Sequence, residues 1–112
     1  MKSYDESAVN TLLGYIIANS YILRQYTLPT LTNLAKHYAA GEWDEKKALR
    51  SMRNLSKKGA QYFVKQAVKQ FRIKGSSKWS SLFSVADRIE VATRLLNINR
   101  NYIHSLAQKK AA

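Results

Sequence analysis

Eleven basic residues and no acidic residue lie between Lys46 and Ala86. Most of them recur at helical spacing beside apolar residues, which places them on the outer side of a helix. Rows of Lys and Arg bind phosphates, and each phosphate contact releases counterions from a nucleic acid. The sequence therefore predicts a nucleic-acid-binding surface made of Lys46, Lys47, Arg50, Arg53, Lys57, Lys58, Lys65, Lys69, Arg72, Lys74 and Lys78, with Trp79 beside them.

The same charges also have a purely structural interpretation, in which the lysines keep a helix soluble and their stems cover apolar surface. Solvated helices usually mix both signs at i,i+4, where opposite charges gain a few tenths of a kcal/mol per pair. Here like charges repeat at those positions, which costs about as much. An anionic partner would offset that cost, so we favour a binding surface.

Arginine and tryptophan side chains in this segment could make contacts with a nucleic acid that are more specific than charge attraction. Arg50, Arg53 and Arg72 could hold a phosphate or a guanine through paired hydrogen bonds. Trp79 stands in a Gly/Ser-rich loop and could stack on an unpaired base, although a Trp more often covers a core. Trp43 has acidic neighbours on both sides, and their charge would repel phosphate.

Side chains that carry catalysis are few and scattered. The chain has no Cys, which excludes disulfides, thiolate metal sites and cysteine nucleophiles. His37 and His104 lack the paired spacing of helical metal ligands, and no Gly-rich phosphate loop occurs. The acids lie near predicted helix starts, where caps and dipoles account for them. We therefore expect a non-enzymatic protein without a metal or cofactor.

Composition narrows the class of protein further. A length of 112 residues suits one domain, and 46% apolar residues are too many for a disordered basic tail. The net charge of +12 indicates an anionic partner, which could be nucleic acid, an acidic protein or a membrane surface. The N-terminus lacks the plan of a signal peptide, and the most apolar run, Leu12 to Leu23, is about half as long as a bilayer requires. We expect a cytoplasmic protein.

The first predicted helix opens with a capping-box pattern at Ser3 and Glu6. It is nearly uncharged, so we expect it to be the most buried element. Asn19 and Ser20 either interrupt this helix or start a new turn. The apolar residues of its inner face are Val9, Leu12, Leu13, Ile16 and Ile17. Core-edge tyrosines are expected at Tyr15, Tyr21 and Tyr26.

A second helix is predicted between Thr27, as its N-cap, and about Ala40. Pro29 is tolerated in the first turn of a helix, and Gly41 is a typical residue at the C-terminal end of one. The inner face of this helix consists of Leu31, Leu34, Ala35 and Tyr38.

Asp44 is the predicted N-cap of a third helix. At Gly59 the apolar and basic stripes both rotate by roughly a quarter turn, taking 100° per residue. This shift predicts a break or kink at Gly59. A last helix is expected to begin after the Ser84 and Asp87 start signal, to end near Leu106, and to leave residues 107–112 frayed. Its inner face would hold Ile89, Ala92, Leu96, Ile103 and Leu106.

Short segments along the chain resemble a loose family of small helical proteins that bacteriophages and their hosts encode. The segments that carry the resemblance are RQYTLP ending at Pro29, NL at Asn33, GEWD at Gly41, GAQY at Gly59, W-x-x-LF at Trp79 and R-x-EVA at Arg88. They cover most of the chain between Tyr21 and Ile103. The resemblance implies a compact α-helical domain and a phage origin, and hence a location in a bacterial host cell. It implies no activity and no site residues.

The fold we predict is all-α, a single domain over residues 1–112 with four to five helices in a small irregular bundle. The leading hypothesis for its function is nucleic-acid binding of low sequence specificity through the basic helical surface. The alternative is a protein-binding modulator that docks on an acidic host protein. Membrane-surface binding is less favoured, because it requires Phe63, Val64, Val68 and Phe71 to be exposed. Whether the chain forms a homodimer, and whether it prefers DNA or RNA, single or double strand, stays open.

Overall fold

The computed structural model describes residues 3–71 and 82–111, and every regular element among them is a helix. In chain order the elements are α1 (Glu6–Ala18), α2 (Ser20–Ile22), a π-helical turn (Leu23–Thr27), α3 (Leu28–Ala39), α4 (Glu45–Phe71) and α5 (Val85–Ala111). The predicted all-α fold, a small bundle of helices, is confirmed.

The core is built around α5, which packs against α1, α3 and α4. Val91, Leu95, Leu96 and Ile103 on α5 are at most 1% exposed. The expectation that the first helix is the most buried was wrong, because α1 covers one side of the bundle and leaves Ile17 53% exposed. A scarcity of charge permits burial, but the number of neighbouring helices decides it.

The inner face of α5 agrees only in part with the sequence pattern. Ala92, Leu96 and Ile103 are buried as expected, whereas Ile89 is 39% exposed and Leu106 is only partly buried. The helix also extends past the expected end at Leu106, because Ala107 packs into the core.

The N-cap of α1 is Asp5, so the predicted capping box at Ser3 was wrong. Asp5 Oδ1 accepts hydrogen bonds from the amides of Ser7 and Ala8, at 2.9 and 3.2 Å. The Asp5 amide in turn donates to Asp87 Oδ1 at 2.8 Å. This long-range bond ties the start of α1 to the start of α5, in addition to the local cap that the Asp5 side chain makes.

The helical path is interrupted at Asn19, which ends α1 and caps α2 with its side chain. From Ser20 the backbone stays helical through the π-helical turn into α3. Thr27 was therefore wrongly predicted as an N-cap, since its backbone is helical and its side chain caps nothing. The wider π turn comes just before Pro29, whose ring would collide with a preceding carbonyl in a regular α-helix.

Three of the predicted helix ends are confirmed. Gly41 follows α3 with φ of +72°, a conformation that favours glycine. Asp44 Oδ1 accepts the amides of Lys46 and Lys47 at the start of α4. Ser84 and Asp87 form the predicted reciprocal cap of α5, with each side chain accepting the other residue's amide.

Helix α4 runs without a break through Gly59, so the predicted break was wrong. Gly59 is buried where α1 crosses α4, and a Cβ there would lie 2.5 Å from Ile16 Cγ1. The glycine allows two helices to approach closely, and it does not end either of them. The rotation of the stripes is real, because α4 changes the neighbours that it covers. Residues near Leu34 of α3 flank its first turns, whereas Tyr15 of α1 packs on Tyr62 and Phe63 further along.

Candidate nucleic-acid interface

The described part of the predicted surface is one continuous side of α4, which we name the α4 basic face. All eight of its residues are exposed: Lys46, Lys47, Arg50, Arg53, Lys57, Lys58, Lys65 and Lys69. At 1.5 Å per residue it extends over about 35 Å, close to one turn of duplex DNA. The other four predicted site residues, Arg72, Lys74, Lys78 and Trp79, lie outside the described residues.

The α4 basic face winds around its helix. Lys46, Arg50, Arg53 and Lys57 form a straight stripe along the first half. Lys58, Lys65 and Lys69 follow on a line displaced by roughly 110° at 100° per residue. Lys58 and Lys65 of the second line border Tyr26 of the π-helical turn and Tyr62 of α4, so charge and aromatic surface meet there.

The acidic side chains of the chain are engaged in contacts of their own, and Glu42, Asp44 and Glu45 lie beside the start of the α4 basic face. Asp5, Asp44 and Asp87 accept backbone amides at helix starts. Glu6 and Glu90 pair with Arg94, Glu45 pairs with Arg100, and Glu42 Oε2 lies 3.7 Å from His37 Nδ1. Because α4 has no acidic residue after Glu45, the positive potential persists along the rest of the α4 basic face.

Beside Lys58 and Lys65 lies a groove that sequence reasoning missed. Tyr26, Lys58, Gln61, Tyr62 and Lys65 line it, and it encloses about 220 Å³. We name it the tyrosine groove. The spacing Lys58-Tyr62-Lys65 already puts an aromatic ring between two lysines on one helix face, which is a signal the sequence contained. The contribution of Tyr26 depends on tertiary packing.

The tyrosines around the groove pack on one another. Tyr21 stacks on Tyr62 with 5.1 Å between ring centroids and 20° between ring planes, and it meets Tyr26 edge-on at 6.3 Å. Burial, with the nearby Tyr62 as a second cause, raises the pKa of Tyr15 behind them. Tyr21 is 43% exposed. The expectation of core-edge aromatics thus describes their burial but not their clustering beside cations.

A second cleft of about 450 Å³ lies where α3 meets the start of α4. Trp43 lines it together with Lys47 and Arg50, but Glu42 and Asp44 line it as well. Trp43 Nε1 donates to Glu45 Oε2 at 3.0 Å. Because its charges are mixed, this cleft is a poorer phosphate site than the tyrosine groove.

The two histidines lie close to Tyr38. The His104 ring stacks on Tyr38 at 4.3 Å, and His37 Nδ1 lies 3.7 Å from Glu42 Oε2. Among residues 3–71 and 82–111, no three His, Asp or Glu side chains are placed to share a metal ion. Each of the helices described here is too short or too polar to cross a membrane.

Membrane-surface binding required an exposed apolar row on α4. Val64 is 3% exposed, and Phe63 packs edge-on against Tyr15 at 5.0 Å and against Phe83 at 5.3 Å. The Phe71 side chain lies outside the described residues. The apolar residues of α4 therefore serve the core at these positions.

Exposed apolar side chains gather on the other side of the bundle, in a groove of about 370 Å³ between α1, α3 and α5. We name it the apolar groove. Ile17, Leu23, Leu28, Ile98 and Tyr102 line it, and each is at least 37% exposed. Such a concentration of exposed apolar side chains is typical of contact surfaces.

No protein-family model matches this chain, and no curated protein or solved structure is significantly similar to it. The resemblance to small phage and bacterial helical proteins therefore stays a prediction. Inference about function depends on the geometry of the helices and on their charges.

The pair between Glu45 and Arg100 holds the start of α4 to the middle of α5. Hydrogen bonds from Arg100 and then from Trp43 lower the pKa of Glu45. A lowered folded-state pKa means that the contribution is present above the usual Glu pKa and is lost as pH falls through the folded value. We expect Glu45→Gln to destabilise the protein by less than about 1 kcal/mol at pH 6, since the pair is partly exposed.

Urea unfolding of the two proteins at pH 6 and at pH 2.5 checks this expectation. The difference in the free energy of unfolding should shrink from pH 6 to pH 2.5, because Glu45 gains a proton as pH falls through its lowered folded-state pKa. An equal difference at the two pH values would show that the glutamate acts through packing and not through its charge.

Proposed function

We propose that this chain is a non-enzymatic nucleic-acid-binding protein that contacts the phosphate backbone with its α4 basic face and has little sequence specificity. The observation that carries the proposal is the exposure of eight Lys and Arg side chains on one helix that contains a single acid, Glu45, at its N-terminus. Cations arranged in this way neutralise several phosphates at once. Contacts to phosphates carry no sequence information by themselves, so we expect little specificity.

The test is a triple substitution in the straight stripe, Arg50→Gln, Arg53→Gln and Lys57→Gln. Each of these side chains is exposed, so the variant should fold normally. We expect its affinity for a labelled oligonucleotide to fall about tenfold or more at physiological salt, and its salt slope to fall by roughly two to three, since each phosphate contact adds about 0.7–0.9 to the slope. Fluorescence anisotropy over a salt series measures both quantities.

A matched control removes the same charge elsewhere. Lys36 on α3 and Lys109 and Lys110 in the last turns of α5 can be replaced by Gln together. This control should keep most of the affinity. Equal losses in the two triple variants would show that net charge, and not the α4 basic face, drives binding. Unchanged affinity in the α4 variant would refute the assignment of that face.

A second candidate function is binding to an acidic protein, and the apolar groove favours it. An interface with protein needs apolar contact surface as well as charge, and Ile17 and Ile98 offer it at more than half exposure. Poly-L-glutamate provides a simple probe of the acidic component. Affinity for it equal to that for an oligonucleotide of the same charge would favour this second function, whereas much weaker binding would favour nucleic acid.

A further inference from the structure

The π-helical turn brings Tyr21 and Tyr26 close together. Tyr21 and Tyr26 are five residues apart, and on an α-helix at 100° per residue they would be separated by about 140°. The i→i+5 bonding of a π-helix spreads one turn over roughly 4.4 residues, which brings residues five apart onto one side. The Leu28 amide bonds the Leu23 carbonyl in this way, and the two tyrosine rings lie 6.3 Å apart.

This turn places the aromatic cluster against the positive side of α4. The tyrosine groove has two rings, from Tyr26 and Tyr62, and two exposed lysines, Lys58 and Lys65, with the Gln61 amide between them. Rings accept the flat face of a base, and lysines accept the phosphates on either side of it. A side-chain amide can also bond base edges.

The form of the nucleic acid follows from this combination. In a duplex the base faces are stacked on their neighbours, so only phosphates and groove edges are available to the protein. An unpaired strand offers both a free base face and its phosphates. Lysines alone would serve either form, whereas a ring beside them contributes binding energy only with the unpaired form.

We propose that the tyrosine groove binds single-stranded nucleic acid, with an unpaired base against the rings of Tyr26 and Tyr62 and the flanking phosphates on Lys58 and Lys65. This inference rests on the proposed function and specifies its ligand. Tyr21 is a positioning residue, because its ring backs that of Tyr62 at 5.1 Å. The groove makes no distinction between DNA and RNA by its stacking surface, and the experiment includes both.

The experiment measures anisotropy with a labelled single-stranded DNA, an RNA of the same sequence and the matching DNA duplex, at one fixed salt concentration. Wild-type protein should bind the single strands several-fold more tightly than the duplex. Tyr26→Leu should weaken single-strand binding about tenfold, the usual loss for one stacked base, and should change duplex binding by less than twofold. Tyr26→Phe, which keeps the ring, should bind like the wild type.

Two further variants complete the experiment, one as a substitute for Tyr26→Leu and one as a control for the loss of a tyrosine elsewhere. If Tyr26→Leu fails to fold, Tyr21→Leu takes its place in the test. It changes an exposed residue, and it should also weaken single-strand binding. Tyr102→Leu changes an exposed tyrosine of α5 that is 44% exposed in the apolar groove, and it should have no effect on binding.

The outcomes separate this inference from the function on which it rests. Equal affinity for single strand and duplex, with no loss in Tyr26→Leu and Tyr21→Leu, would overturn the stacking site and leave nucleic-acid binding in place. The absence of binding to all three probes would overturn both. A loss in Tyr102→Leu as large as that in Tyr26→Leu would also overturn the assignment to this groove.

Discussion

Replacing Asp87 with alanine is expected to lower the free energy of unfolding by about 3 kcal/mol, because hydrogen bonds to a charged group contribute about 1.5–3 kcal/mol each and Asp87 accepts two of them. Asp87 is 4% exposed. Its carboxylate accepts the Asp5 amide at 2.8 Å and the Ser84 amide at 3.0 Å. The substitution therefore leaves two donors without their acceptor and removes one polar contact between α1 and α5, whereas the pair of Glu6 with Arg94 remains.

Urea unfolding followed by circular dichroism measures this loss, and Asp44→Ala is the matched control. Asp44 also accepts two amides at a helix start, but it is exposed and caps only its own helix. Its replacement should cost about 1 kcal/mol. Asp87→Asn retains one acceptor oxygen and should fall between the two. Similar losses for Asp87→Ala and Asp44→Ala would mean that the contact between α1 and α5 contributes nothing beyond a cap.

Gly59→Val is expected to destabilise the protein by about 3 kcal/mol, at the upper end of the usual cost of overpacking. Even a single added Cβ would lie 2.5 Å from Ile16 Cγ1 and 2.6 Å from Ile16 Cδ1. Ile16 is 1% exposed, so any shift of its side chain disturbs the core packing around it. The two helices must separate, or the side chains must leave their preferred rotamers.

Gly14→Ala is the control for the intrinsic preference of helices for alanine. Gly14 lies within α1, and no atom lies within 4 Å of a Cβ built there. This variant should be stabilised by about 0.5–1 kcal/mol.

Combining Gly59→Ala with Ile16→Ala removes both clashing atoms, so the double variant should lose less stability than the sum of the single variants. Additive losses would show that the two residues do not compete for one space.

Local patterns predicted the fold class and those ends of helices that depend on neighbouring residues. Asp44 and the pair Ser84 and Asp87 act as caps within a few residues of sequence, and Gly41 ends its helix through its own backbone. The α4 basic face was also predictable, because an uninterrupted run of cations at helical spacing has no place in a core.

The remaining features depend on contacts between distant segments. The amide of Asp5, the N-cap of α1, is bound by Asp87 on the last helix, and Gly59 lies inside α4 where Ile16 of α1 approaches it closely. A glycine that admits a neighbouring helix and a glycine that ends a helix look alike in one sequence. The tyrosine groove was missed for the same reason, since Tyr26 joins Lys58 only across the packed helices.

The contacts of α1 also have a consequence for the order of events during folding. The Asp5 amide and the Glu6 carboxylate find their partners 82 and 88 residues later, on the last helix. Contacts so distant in sequence slow folding relative to bundles whose successive helices pair with each other. During translation the apolar stripe of α1, with Leu12 at its centre, therefore stays uncovered by α5 until that helix has left the ribosome. Helix α1 is therefore synthesised well before α5 and completes its packing only when α5 is available.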